Sequence, residues 1–233
     1  MMKLDHVVYF TSKSPNEVVQ EQKEKGNHAV IGGRHEKWGT HNALMYVKNA
    51  YVEWLSVEKP ELAREVDHPL TRLLLHDVTD GDGWGTICLS VTNIEQFNDD
   101  IKNKGFATSG VLDAERLTES GVLRKWKMLF VDQPVTAELP YPFFIEWEEP
   151  EDVRFAQLRK DGTLIEENDA KEIQECIFGV EDPLRDTGEW AVLLSQKVGD
   201  SNDISLENVR LRFIQQEGGK DRLSDVVIGK REG

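Results

Sequence analysis

The chain has 233 residues, of which 39% are hydrophobic and 30% charged, the make-up of a folded globular protein with room for a sizeable core. Its 43 acidic residues outnumber 28 basic ones, for a formal net charge of -15, which argues against nucleic acid or an anionic membrane as the main partner. The opening MMKLDHVVYF lacks the apolar core of a secretory signal, charges interrupt every apolar run short of a membrane span, and Cys88 and Cys176 form neither a disulfide framework nor a zinc pattern, so a reduced, cytoplasmic setting is expected.

Residues 4–10 read as the first strand. Ser14, Pro15 and Glu17 then spell a helix start, with a capping Ser, a Pro in the first helical position and a Glu in the third, and Lys25-Gly26 closes that helix. Strands follow near 29–31, 43–47 and 51–57, the last two joined by a turn at 48–50. Short helices are predicted at 60–64 and 69–76. The glycine-rich loop at 80–85 lacks the Lys-Ser or Lys-Thr pair of a phosphate cradle. A second strand-and-helix unit opens with residues 86–91 and the capping pattern Thr92-Asn93-Ile94-Glu95, ends its helix at Lys104-Gly105, and continues in strands at 122–131 and 143–147. A looser third copy has a strand at 175–180, a helix start at Asp182-Pro183, a stop at Gly199, and strands at 204–215 and 226–230.

The plan of strand, helix, then antiparallel strands predicts an α+β fold. Two βαβββ units over residues 1–149 form one curled mixed sheet, and residues 150–233 supply a degenerate third unit packed on it, either covering a sheet edge or making a subunit contact, as in a homodimer.

Alternation sorts the side chains. His6, Val8 and Phe10 share a face, as do Tyr51, Glu53 and Leu55, and as do Phe144 and Glu146. A carboxylate among such neighbours needs a cation, a metal or a donor beside it if the face is buried. Either glutamate alone reads sooner as an ordinary solvent-exposed residue; two at matching places, with His6 on the opening strand, favour a site. The run GGRHEKWGTHNALMYV, residues 32–47, adds further candidates. Gly32 and Gly33 let the strand pass close to its neighbour. His35 is either a site residue able to carry a proton near neutral pH or a solvated loop histidine. Trp38 offers a flat wall to a small-molecule ligand, and Thr40 and Asn42 either contact that ligand or bond the turn. His41 ranks below His35, and Trp54, Trp126 and Trp147 read as core.

Taken in order, "LDHVVYF", "GGRHEKWGTHNAL", "YVEWL" and "LPYPFFIEW" resemble the glyoxalase-like domain family of the vicinal oxygen chelate superfamily, over residues 4–147. The resemblance implies a cup holding a divalent metal, Mn, Fe or Zn, bound by a His from each opening strand and a Glu from each closing strand. By position these are His6, Glu53 and Glu146, with Thr86, a poor ligand, in the fourth place. It further implies a metal-dependent isomerase, lyase or oxygenase with His35 as catalytic base. The alternative is a metal-free protein that binds a drug or metabolite on the same fold.

Overall fold

Strand β1 (Lys3–Phe10) is buried on both faces and runs through the middle of an eight-stranded sheet, where both faces can be covered. The computed structural model describes residues 2–117 and 123–230. After β1, Ser14 caps α1 (Pro15–Glu24) by accepting from the Glu17 N–H while the Glu17 carboxylate accepts from the Ser14 N–H, the reciprocal box the sequence predicts. Then come β2 (Val30–His35), β3 (Thr40–Tyr46), β4 (Tyr51–Val57), α2 (Pro60–Glu65), α3 (Pro69–Asp77) and a 3-10 turn at Val78–Asp80. The second unit is β5 (Gly83–Ser90), α4 (Ile94–Asn103), β6 (Leu112–Leu117), β7 (Leu123–Leu129) and β8 (Phe143–Trp147). Helices α5 (Glu151–Lys160) and α6 (Glu166–Asp169) lead to β9 (Lys171–Val180), α7 (Pro183–Leu194), β10 (Asp203–Ser205), β11 (Arg210–Gln215) and β12 (Arg222–Lys230).

The large sheet is ordered β2-β3-β4-β1-β5-β8-β7-β6, and β9 to β12 form a separate four-stranded sheet. At its centre β1 and β5 are antiparallel; β4 runs parallel to β1, and β8 parallel to β5. Read outward from the centre, both halves follow the same order of opening, last, third and second strand. The sheet curls so far that its two outer strands, β2 and β6, contact each other.

Three differences from the sequence reading have local causes. Strand β6 carries Asp113, Glu115 and Arg116 and gives no alternating apolar signal, so it was not foreseen; the next predicted strand started at Val122, which lies outside the described residues. Charged residues likewise fill α5, also unforeseen. The second capping box does not form. Asn93 is the N-cap, and the N–H groups of Asn93 and Ile94 donate to Glu146, reaching across from β8, while Glu95 pairs with Lys127.

The convex face of the sheet buries Leu4, Val7, Ile87, Leu89 and Phe144 against Ile94 and Ile101 of α4, in a core continuous with Phe178, Trp190 and Phe213 of the C-terminal unit. On the concave face, Leu70, Leu73 and Leu74 of α3 press into Val8, Phe10, Leu55, Met128 and Phe143. Further along, α5 sets Phe155 and Leu158 on Leu44, Tyr46 and Tyr51. Between these two plugs the curl holds polar side chains.

Candidate active site in the concave face

The floor of the site is His6, buried at 3% exposure. Its ring stacks on Tyr51, with centroids 4.4 Å apart and an 18° tilt, and meets the edge of Phe143. His6 Nδ1 lies 2.8 Å from Asp5 Oδ1, and Nε2 lies 3.4 Å from Glu53 Oε2. The other Glu53 oxygen accepts from the Asn42 amide. Asp5 is the sequence neighbour of His6, and regular alternation would send it to the opposite face. A β-bulge between Leu4 and His6 instead places Leu4 opposite Leu89 and His6 opposite Cys88, leaving Asp5 without a partner and turned to the concave side. There its second oxygen accepts from Trp147 Nε1 at 2.8 Å and from buried Arg154 at 3.3 Å, whose guanidinium lies 4.4 Å from the centre of the Trp147 ring.

The charges in this chain balance. Burial opposes ionisation of Asp5, but the Arg154 charge and the hydrogen bonds from His6 and Trp147 hold its carboxyl below the usual range. Burial alone would also raise the Glu53 pKa; the hydrogen bond and charge of His6, then the His35 charge and the Asn42 amide, bring it down to about 2. For His6, burial lowers the pKa, while Cys88 and the hydrogen bonds of Asp5 and Glu53 raise it, leaving it well above the ordinary value. The Cys88 thiol is itself pushed up to about 12 by burial and so is neutral near pH 7; the charge on His6 therefore rests on the two carboxylates. Arg154 and His6 positive, Asp5 and Glu53 negative, sum to zero.

A cavity of about 40 Å3 sits above this floor, walled by Thr40, Asn42, His68, Trp126, Met128 and Trp147, with His35 and Trp38 at its mouth. His35 Nδ1 lies 2.9 Å from Thr40 Oγ1, and Trp38 stacks on His68. His35 and Trp38 also line a wide outer groove of about 770 Å3 that includes His41. The structure thus brings His6, Glu53, His35, Trp38, Thr40 and Asn42 to one place. Trp126 and Trp147, read from sequence as core, are walls of the same cavity.

The family model described as a glyoxalase-like domain matches residues 4–194. The chain belongs to this glyoxalase-like domain family. A hypothetical protein from Staphylococcus aureus has a similar structure over the full chain, with a TM-score of 0.81 and 22% identity, covering 100% of this chain and 93% of the other. A methylmalonyl-CoA epimerase from Mycobacterium tuberculosis aligns at a TM-score of 0.43 and 13% identity, covering 66% of this chain and 91% of its own. No curated protein matches.

Within the glyoxalase-like fold, the register decides which residues of the second half answer to His6 and Glu53. His6 pairs with Cys88 and Val8 with Thr86, so exchanging β1 and β5 carries His6 onto Thr86 and Val8 onto Cys88. Glu53 lies beside Val8, and Phe143 lies beside Cys88. The counterpart of Glu53 is therefore Phe143. Glu146 does not join His6 and Glu53: it shares the convex face with Phe144, and its carboxylate takes two N–H groups at the start of α4, where the helix dipole favours a negative charge. The set His6, Glu53 and Glu146 expected from the sequence is not gathered, and the second half supplies a hydroxyl and a phenyl ring. Sequence reading also missed Asp5, Tyr51 as the ring beneath His6, and His68. Only Tyr51 carried a signal, by alternation with Glu53.

Proposed function

We propose that this glyoxalase-like protein takes a small, oxygen-bearing organic molecule into the concave cavity and acts on it by proton transfer, as an isomerase or lyase. The observation that carries the reading is the buried chain Asp5–His6–Glu53 ending in a cavity. His6 Nε2 is 3.4 Å from Glu53, longer than a good hydrogen bond, so a ligand oxygen can compete for that proton. A carboxylate held at about 2 is a weak base while an imidazolium stands beside it. Passing the His6 proton to the ligand oxygen removes that charge, and Glu53 becomes basic enough to accept a proton from the adjacent carbon. The ligand gains one proton on oxygen and loses one on carbon, which is an enolisation. Asp5 holds the ring in place through both protonation states, and His35 at the mouth is a second proton carrier. Trp38, Thr40 and Asn42 shape the ligand's walls.

A divalent metal, which the family resemblance implies, fits one side of the site only. His6 Nε2 and Glu53 Oε2 would hold Mn, Fe or Zn, with Asp5 behind the histidine as an orienting carboxylate. Thr86 and Phe143 give no second pair, so water or the ligand would complete the shell. Such an ion, when bound, would polarise the ligand oxygen as a Lewis acid. The alternative, a metal-free protein that only binds a metabolite or drug, is favoured by one observation: the second half of the sheet places Thr86 and Phe143 where a second pair of ligands would stand. Elemental analysis of protein purified without chelator or affinity-tag nickel separates these readings. Stoichiometric metal, lost in Glu53→Gln, supports the metal-dependent form. Metal-free protein that exchanges a carbon-bound proton of a bound oxo compound with solvent supports the proton-transfer form, and binding without exchange supports the alternative.

A further inference from the structure

Asn42 and His68 both line the cavity, and each has one buried polar atom with no hydrogen-bond partner among the described residues, Asn42 Oδ1 and His68 Nε2. The Asn42 oxygen is turned to β2, where a Cβ on Gly32 would come within 2.1 Å of it. The His68 nitrogen needs another account. His68 is 4% exposed and is the N-cap of α3: its Nδ1 accepts from the Thr71 N–H at 3.4 Å and lies 3.1 Å from the Thr71 hydroxyl. A backbone N–H can only donate, so Nδ1 keeps its lone pair and the ring proton is on Nε2. The ring is held by a stack on Trp38, centroids 4.1 Å apart at 16°, and by the edge contact with Phe130 at 5.2 Å. Burial, with the nearby His35 and Arg72 charges, brings the His68 pKa down to about 3, which keeps the ring neutral. A fixed, neutral, buried N–H in a residue that lines a cavity is costly unless something accepts from it.

We propose that His68 is a ligand-binding residue, whose Nε2–H donates to an acceptor oxygen of the molecule that occupies the cavity. This rests on the reading that the cavity is a ligand site, and it narrows the ligand. The group facing His68 is a carbonyl, carboxylate or hydroxyl oxygen and not an ammonium, since a donor there would meet a donor. A cavity of about 40 Å3 admits only a small head group. Short oxo and hydroxy acids meet both conditions.

The test separates the capping nitrogen from the binding one. Asn at position 68 keeps an acceptor for the Thr71 N–H and loses the reach into the cavity; Gln keeps a donor near the Nε2 position and caps poorly. Wild type, His68→Asn and His68→Gln, all 15N-labelled, are titrated with acetate, pyruvate and oxalate, and with ethylammonium as control, while long-range 1H–15N spectra follow each imidazole. In the wild type His68 is expected as the Nε2–H tautomer, and at least one acid should shift that nitrogen while ethylammonium does not. His68→Asn should weaken the acid by about tenfold, the effect of one buried hydrogen bond, while the α3 cap is kept. His68→Gln should keep the affinity and lose stability. Equal affinity in His68→Asn and wild type overturns the proposal, as does an acid that shifts His6 and leaves His68 unmoved; in both cases the cavity reading survives. If no acid shifts either histidine, both fall.

Discussion

Replacing Asp5 by Asn tests whether the buried charges act as a unit. Asp5 is 4% exposed and serves three groups at once: His6 at 2.8 Å, Trp147 at 2.8 Å and Arg154 at 3.3 Å. Asn has the same shape but one acceptor, and its amide must face a donor on one side. If the Asn oxygen stays with Trp147 and Arg154, its NH2 faces His6 Nδ1, and the ring must give up a proton to accept. The cluster sum then changes from zero to +1 and returns to zero as His6 becomes neutral. Arg154 is left buried without its carboxylate, and removing one partner of a buried pair costs about 3–5 kcal/mol. In urea, followed by far-UV circular dichroism because Trp147 itself contacts the changed residue, this is a drop of roughly 1–2 M in the midpoint. Adding Arg154→Met to Asp5→Asn should recover at least half of the loss, because both buried charges are then gone. A loss under about 1 kcal/mol for Asp5→Asn, or simple additivity of the two changes, would refute this account.

Wild-type stability should fall as pH drops from about 6.5 toward 3. The unfolded His68 takes up a proton that the folded ring refuses, because its folded pKa lies below the ordinary 6.5; His68→Asn should flatten that limb by up to about 1.4 kcal/mol per pH unit in denaturation curves. Glu53→Gln should weaken any Mn or Zn affinity at least roughly tenfold by calorimetry, since a charged ligand is lost at constant volume. Installing the missing pair, as Thr86→His with Phe143→Glu, should strengthen divalent-ion binding over wild type in the same assay; unchanged affinity would mean that these positions do not mirror His6 and Glu53. Gly32→Ala should displace the Asn42 side chain, whose oxygen would be 2.1 Å from the new methyl group, and so loosen Glu53; a structure of the variant with Asn42 unmoved would contradict that.

How far the sequence could be read depended on whether local rules governed each residue. His6 and Glu53 were legible because β1 beyond its bulge and all of β4 alternate regularly, and the run at residues 32–47 announced His35, Trp38, Thr40 and Asn42 by its unusual composition. Glu146 was misplaced because the nearest glutamate was matched by type, whereas the ladder fixes position by register, and one odd step along a strand changes the face. The role it does have, capping α4 across 52 residues of sequence, also hid the true helix start at Asn93. His68 gave no signal because a histidine before a Pro reads only as a loop, and its importance comes from α3 lying inside the curl. The curl itself follows from no single segment.

The bulge in β1 also says something about how the buried acid arose and how it can be lost. Leu4 faces the convex core and His6 the concave one, as adjacent residues of an unbroken strand would, so Asp5 occupies a surplus position in the ladder. Deleting that one codon would close the strand into regular pairing with both neighbours still facing their own layers. Lineages can therefore gain or discard the carboxylate behind His6 by a single-residue insertion or deletion, and gaps at this point in an alignment, more than substitutions, should sort relatives with the buried relay from those without it.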